Sequence, residues 1–237
     1  MLLSVVIPAR NESGSLPSTL GDCLTVLRRE QVPFELIVVD DGSTDDTISV
    51  VSNLDDPAIR IIANPGENGF GLAIRFGIEQ AAGDVIAIMM ADASDSPEDL
   101  VKYYRVIDYP SHKLLMNRLA NLFIRVVFGL RFNDITNAFK CYRRAAIDGM
   151  MPLISPHFNL TVEMPLKAII RGYSFKVVPI SWTNRKEGVS KLKIKEMGSR
   201  YLFIVLYLWL EKALSRGDYI RKRKAAMAAD LPASRHA

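Results

Sequence analysis

Three apolar runs in the first ninety-two residues constrain this chain more than any other feature. Ser4-Val5-Val6-Ile7-Pro8-Ala9 leads into Arg10-Asn11-Glu12, and Glu35-Leu36-Ile37-Val38-Val39 leads into Asp40-Asp41-Gly42-Ser43. Val85-Ile86-Ala87-Ile88-Met89-Met90 leads into Ala91-Asp92. Each run is short and stops abruptly in acids or turn formers. Continuous rather than alternating hydrophobicity marks strands buried on both faces, so a mostly parallel sheet covered by helices is expected, an α/β fold. Ligands of such sheets bind just beyond the carboxyl ends of the strands, where these acids fall.

The intervening sequence reads as helices. Residues 11–29 form the first, with Asn11 or Ser13 near its N-cap and Leu16, Leu20, Leu24 and Leu27 on one face. A capped start at Ser43-Thr44-Asp45-Asp46-Thr47 runs to about Leu54. Residues 59–63 read as a third strand, and a glycine-rich turn over 64–71 opens a helix that Gly83 stops. Ser96-Pro97-Glu98-Asp99 starts another, with proline early and acids in the first turn. This β-α-β-α-β order favours right-handed parallel crossovers. Residues 114–130 read as a strongly apolar helix carrying Asn117, Arg118, Asn121 and Arg125. Within 194–214 the run Tyr201–Leu210 is about half of the roughly 20 residues a membrane-spanning helix needs. It suits a core, partner-docking or interfacial helix, and Tyr201, Tyr207 and Trp209 beside basic residues favour the membrane interface. The expected division is a catalytic domain over 1–193 and an interfacial helix with a basic tail over 194–237.

At 237 residues and 49% hydrophobic, the chain can bury one substantial core. Cys23 and Cys141 have no paired spacing, which argues against a disulfide framework or zinc site and fits a reducing compartment. Met1 leads straight into the first strand, so no signal peptide is expected. From Glu211 onward seven basic residues face three acids, so this tail alone carries the chain's net charge of +4. A basic segment after an apolar run suits an anionic membrane surface, or is a solvated tail. No aromatic-interleaved basic stripe points to nucleic acid. Gly69-Phe70-Gly71 does not make a dinucleotide-binding turn, because the next glycine is Gly77 and the turn follows the third strand. Close packing at a helix start explains it better.

Taken in order, SVVIPARNE, ELIVVDDGSTDDT, NGFGLAIRFGIEQAAGD and MMADASDSPEDL resemble the family-2 glycosyltransferases of GT-A fold. DITNAFKCYRR, FNLTVEMPLKAIIRGY and RKEGVSKLKIKE extend the resemblance towards the dolichyl- and polyprenyl-phosphate hexose synthases, of the dolichol-phosphate mannose synthase type, over roughly residues 4–200. The resemblance implies inverting transfer of a sugar from a nucleotide sugar to a polyprenyl phosphate, by an enzyme peripheral on the cytoplasmic membrane face. A membrane-anchoring partner or a second copy is compatible with it. So are transfer to a glycan or glycolipid and a non-catalytic nucleotide-sugar-binding subunit.

It also implies roles for particular residues. Pro8, Arg10, Glu12 and Asp40 border the donor nucleotide, although Glu12 equally suits charge compensation at a helix start. Asp92 stands at the diphosphate and a Mg²⁺ or Mn²⁺ ion, where the family carries Asp-x-Asp. Here Met90 takes the place of the first acid, a thioether unsuited to a hard cation, so either Asp95 or the phosphates complete the metal's shell or dependence on the metal is weakened. Asp95 is alternatively a helix cap. Arg185, Ser190 and Lys191 match a segment that holds the lipid phosphate or donor diphosphate, with Arg185 and Lys191 assisting catalysis with Asp92. Asp134, Asn137 and Glu163 match polar positions on the acceptor side, and His157 reads as structural. About twenty residues of a glycine- and arginine-rich family segment have no counterpart after Arg105. A break in the chain between Arg105 and Val106 is therefore expected, whereas a bonded pair would place their Cα atoms about 3.8 Å apart.

Overall fold

The computed structural model of the chain describes residues 1–107, 135, 137–181 and 194–220. The three apolar runs become β1 (Leu3–Ala9), β2 (Phe34–Asp40) and β4 (Val85–Ile88), and β3 is Ile59–Ala63. β1 and β4 are buried at every position, as continuous hydrophobicity requires. A fifth strand, β5 (Lys140–Arg143), was not legible in the sequence: four residues of mixed polarity give no period. The sheet order is β3-β2-β1-β4-β5, parallel throughout except that β5 runs antiparallel to β4.

Helices α1 (Leu16–Arg29), α2 (Thr47–Ser52), α3 (Phe70–Gln80) and α4 (Pro97–Ile107) fall within or close to the expected segments. α1 starts later than expected, because Glu12 to Ser15 form a turn in which the Glu12 carbonyl accepts the N–H groups of Ser15 and Leu16. α5 (Arg144–Met150) and α6 (Leu160–Ile170) were not anticipated, and Pro165 inside α6 argues against a helix on sequence alone. α7 is Ile194–Leu214.

α4 passes through Arg105 and Val106 without interruption. The two residues are consecutive in one helix, so the expected break does not exist. The helix expected over 114–130 lies outside the described residues.

The layers follow from side-chain alternation along the strands. Val5, Ile7, Ala87 and Met89 face α1, α2 and α4. Val6, Ile37, Ile86 and Ile88 face α3, α5 and α6 on the other side. A smaller cluster joins Val162 and Leu166 of α6 to Ile204, Val205 and Leu208 of α7. Bonds from the Arg171 guanidinium to Glu211 (2.8 and 3.1 Å) and to the carbonyls of Gly149 and Met151 reinforce that contact. No described helix is long and apolar enough to cross a membrane.

Both cysteines are embedded in this packing. Burial pushes the Cys23 and Cys141 thiols up to about 12. At pH 8 their thiolate fraction is then about 10⁻⁴, so neither should react rapidly with a disulfide reagent, and two thiols should appear on unfolding. One fast equivalent in the native protein would show that the core around α1 or β5 opens locally.

Candidate active site

The strand order places a crevice where the sequence could not. Order reverses between β1 and β4, so the connections leave in opposite directions, which is where sheets of this kind open a crevice. The ladder between them ends with the Met89 N–H on the Val6 carbonyl, 3.1 Å away. Pro8 lies just beyond, paired only with β2 through Val39, so its missing N–H leaves no ladder bond unmade.

The β1–α1 and β2–α2 loops form one wall, and they are clasped to each other. The Asn11 side chain accepts the Thr44 N–H (2.7 Å), and the Asn11 and Glu12 N–H groups donate to the Ser43 and Thr47 hydroxyls. Asn11 adopts φ +54°, which an Asn tolerates better than most side chains. Arg10 is exposed beside this clasp. The Glu12 carboxylate accepts the Ser15 hydroxyl at 3.1 Å, next to the start of α1. Asp45 gathers Ser13 and Thr47 beneath the clasp. Partial desolvation opposes its ionisation, but those hydrogen bonds prevail and hold the carboxyl down at about 2.

Asp40 and Asp41 are both buried and do different work. Asp41 accepts the Gly69 N–H (2.9 and 3.0 Å) and the Asn64 amide (2.9 Å), which fixes the β3–α3 loop. Among the described residues Asp40 accepts only the Ser43 N–H, shared at 3.3 Å between its two oxygens. A buried carboxylate with one long hydrogen bond has acceptor capacity left for a ligand's hydroxyl or N–H groups.

Opposite stands the loop after β4. Asp92 is 5% exposed, and its Oδ1 accepts both the Ser94 N–H (3.2 Å) and the Ser94 hydroxyl (2.5 Å). Ala93 between them sits at φ +59°, a conformation costing about 1 kcal/mol for a non-glycine residue. Such strain clusters where a fold holds functional groups in place. Asp95 is also buried and accepts the Met90 N–H at 2.9 Å. Burial pushes the Asp95 carboxyl up to about 7; the Met90 N–H opposes this, the Asp92 charge adds to it, and the Lys140 ammonium pulls it back. Two buried carboxylates that repel each other offer hard oxygens to a divalent cation, and the Met90 thioether does not. The described residues contain no cluster of three or more His, Cys, Asp or Glu side chains fit for a metal.

Ser94 and Lys140 escaped the sequence reading. Lys140 comes from β5 opposite Ile88, and only its place inside the apolar run Ala138-Phe139-Lys140-Cys141-Tyr142 could have marked it as inward-facing.

The segment before α6, expected on the acceptor side, is held from within. Glu163 is fully buried, and its carboxylate accepts the N–H groups of Ile154 and Ser155 (both 2.8 Å) and the Lys167 ammonium (3.0 Å). Its charge is committed to the loop over 152–158, a positioning role different from the acceptor contact expected of it. That loop abuts α3: the Pro156 carbonyl accepts the Gly71 and Leu72 N–H groups, and Phe158 stacks on Phe70 with centroids 4.0 Å apart. A Cβ on Gly71 would overlap the Ser155 carbonyl oxygen, and one on Gly69 would lie 2.5 Å from that of Pro156. Close backbone approach, not phosphate binding, explains this glycine pair. Asn137 accepts the Phe139 N–H at 2.8 Å, shaping the turn into β5. Asp134, Arg185, Ser190 and Lys191 lie outside the described residues.

The three-layer fold is shared with a known glycosyltransferase. Glucosyl-3-phosphoglycerate synthase of Mycobacterium tuberculosis, solved with Mn²⁺, uridine diphosphate and phosphoglyceric acid, matches with a TM-score of 0.65. The match covers 94% of this chain and 80% of that one at 18% identity, which establishes a GT-A-like architecture. Residues 4–121 match the family model for glycosyl transferase family 2, and the chain belongs to that family of enzymes. Polyprenol monophosphomannose synthase of Mycolicibacterium smegmatis is 26% identical over 215 residues, covering 79% of this chain and 80% of the relative. Undecaprenyl-phosphate mannosyltransferase of Micrococcus luteus is 28% identical over 220 residues, covering 81% and 88%.

Proposed function

We propose that this glycosyltransferase moves a sugar from a nucleotide sugar to a polyprenyl phosphate at an anionic membrane surface. The carrying observation is the reversal of strand order between β1 and β4, with buried Asp40 at the end of β2 and the buried Asp92–Asp95 pair after β4; Asp40 is assigned to the nucleoside and the pair to the diphosphate. The names of the two relatives supply the acceptor class, and both name mannose. In the reaction an oxygen of the lipid phosphate attacks the anomeric carbon, the bond from that carbon to the diphosphate breaks, and nucleoside diphosphate leaves with inversion. The lipid phosphate is already anionic at neutral pH, so the chain need not supply a strong base. Its residues position the two phosphates and hold charge where the leaving group develops it. Asp92 and Asp95 would hold Mg²⁺ or Mn²⁺, which when bound supplies positive charge to the leaving diphosphate. Arg185, Ser190 and Lys191 are assigned to phosphate binding, with Arg185 and Lys191 assisting the chemistry.

α7 supports the membrane assignment. Its inner face packs on α6, while Leu202, Phe203, Leu206, Trp209, Leu210 and Leu214 are exposed along one side. Lys212, Arg216 and the basic tail follow this apolar stripe. Replacing Leu206 and Leu210 together with Ser should weaken binding to anionic vesicles at least about tenfold in a flotation assay. Undiminished flotation would remove α7 from the membrane contact.

The reading itself is tested by incubating the intact protein with a short polyprenyl phosphate and a panel of nucleotide sugars, with and without Mg²⁺ or Mn²⁺. A lipid-phosphate sugar formed from one donor, nucleotide-activated mannose first, is expected. Nucleotide binding without any such product would sink the polyprenyl acceptor and leave a glycan acceptor or a binding subunit.

A further inference from the structure

Thr19 lies on the buried face of α1, and its hydroxyl sits 3.1 Å from two carbonyl oxygens. One belongs to Ser15, a turn back in the same helix; the other belongs to Ala91, in the loop after β4. The first contact is the ordinary back-bond of a helical threonine. A hydroxyl has one proton to give, and the Ser15 carbonyl already accepts the Thr19 N–H at 3.1 Å, so the Ala91 carbonyl gains more from it. Thr19 and Ala91 are each 2% exposed, and water does not compete for the bond.

One turn further along α1 the Cys23 thiol, a weak donor, points at the Met89 thioether 3.6 Å away. Residues four apart share a helix face and lie about 6 Å apart along its axis. The two-residue step from Met89 to Ala91 spans at most about 7 Å, so the helix and the loop can be held in step at both points. Met89, Ala91 and Cys23 belong to the same buried cluster.

Asp92 is what this grip places. The Ala91 carbonyl and the Asp92 N–H and Cα lie in one peptide plane, so a bond that fixes the carbonyl fixes where the Asp92 side chain begins. Ser94 fixes the far end of that side chain. Thr19 is tied to the opposite wall as well, because the Ser15 hydroxyl donates to the Glu12 carboxylate and the Glu12 N–H donates to the Thr47 hydroxyl. One buried hydroxyl thus registers the carboxylate after β4 against the β1–α1 loop.

Resting on the function proposed above, we infer that Thr19 is a positioning residue whose hydroxyl, acting through the Ala91 carbonyl on Asp92, sets the affinity of the site for a divalent cation. The test uses the intact protein, with Mn²⁺ binding read from its electron paramagnetic resonance signal and sugar transfer followed over a range of Mn²⁺ concentrations. Thr19→Val keeps the shape and loses the hydroxyl. It should weaken Mn²⁺ binding about fivefold, as the loss of one buried hydrogen bond implies, and raise the Mn²⁺ concentration for half-maximal transfer by the same factor. Its rate at saturating Mn²⁺ should stay within about twofold of wild type, because Asp92 itself is retained. Thr19→Ser should bind Mn²⁺ as wild type does. Thr25→Val, which removes an exposed back-bond to Gly21 on the same helix, should change neither reading. If circular dichroism shows Thr19→Val unfolded, Thr19→Ala takes its place.

Undiminished Mn²⁺ binding in Thr19→Val, or equal weakening in Thr19→Ser or Thr25→Val, would overturn the positioning role and leave the proposed function standing. A wild-type protein that transfers sugar without binding Mn²⁺ would do the same. A wild-type protein that transfers no sugar would overturn the proposed function, and Mn²⁺ binding would still decide the part of Thr19.

Discussion

Asp92→Asn is expected to lower sugar transfer by at least about a hundredfold while leaving the melting temperature unchanged. The substitution keeps an oxygen to accept the Ser94 N–H and hydroxyl, so the strained turn at Ala93 retains its clasp. What it removes is the negative charge beside Asp95. Met90 stands where the resemblance implies a first acid, so the charge would rest on Asp92 with Asp95 behind it. Initial rates over a range of Mg²⁺ or Mn²⁺ concentrations give the discriminating measurement. Asp92→Asn should need more cation and still fall short at saturation, and Asp95→Asn should mainly need more cation. A rate within about fivefold of wild type at every cation concentration would show that Asp92 takes no part in diphosphate chemistry.

The second large effect concerns stability. Lys167 and Glu163 are both fully buried, 3.0 Å apart and one turn apart on α6. The Lys167 ammonium also donates to the Pro152 carbonyl at 2.5 Å and lies 5.7 Å from the Tyr207 ring centroid. Lys167→Met removes one charge and strands the other. Glu163 then keeps two N–H donors but loses its counter-charge in an environment without water. Breaking such a buried pair from one side costs about 3–5 kcal/mol, much more than an exposed pair contributes. Denaturant titration followed by circular dichroism should show that loss. The double variant Glu163→Gln with Lys167→Met should recover part of it, because no uncompensated charge remains. A loss below about 1 kcal/mol would mean that water reaches the pair. Transfer should also decline in Lys167→Met, since the loop fixed by Glu163 abuts the start of α3.

The parallel core was legible because burial on both faces leaves a sequence record: Val5 to Ile7, Leu36 to Val39 and Val85 to Ile88 carry no alternation. The acids at the ends of those runs were legible for the same reason, since a carboxylate ends a buried apolar strand only where something compensates it. Asp41 was not legible: the sequence reads it as turn chemistry, whereas its carboxylate fixes the β3–α3 loop through Gly69 and Asn64. Glu163 and Lys167 were not legible either. An acid and a lysine four residues apart ordinarily mark a solvated helix face, and nothing local reveals that α7 and the loop over 152–158 close over them. β5 was hidden too, because its four residues matter only through pairing with β4, which brings Lys140 opposite Ile88.

By itself the sequence determined the covered parallel sheet, the carboxylates at its mouth, the family and the apolar run that becomes α7. Only the tertiary structure decided that strand order reverses between β1 and β4 and that Glu163 positions a loop. The division has one physical cause. Burial of a continuous apolar run is set by its own residues, whereas the partners of a polar group are chosen by whichever distant segment the packed core brings against it.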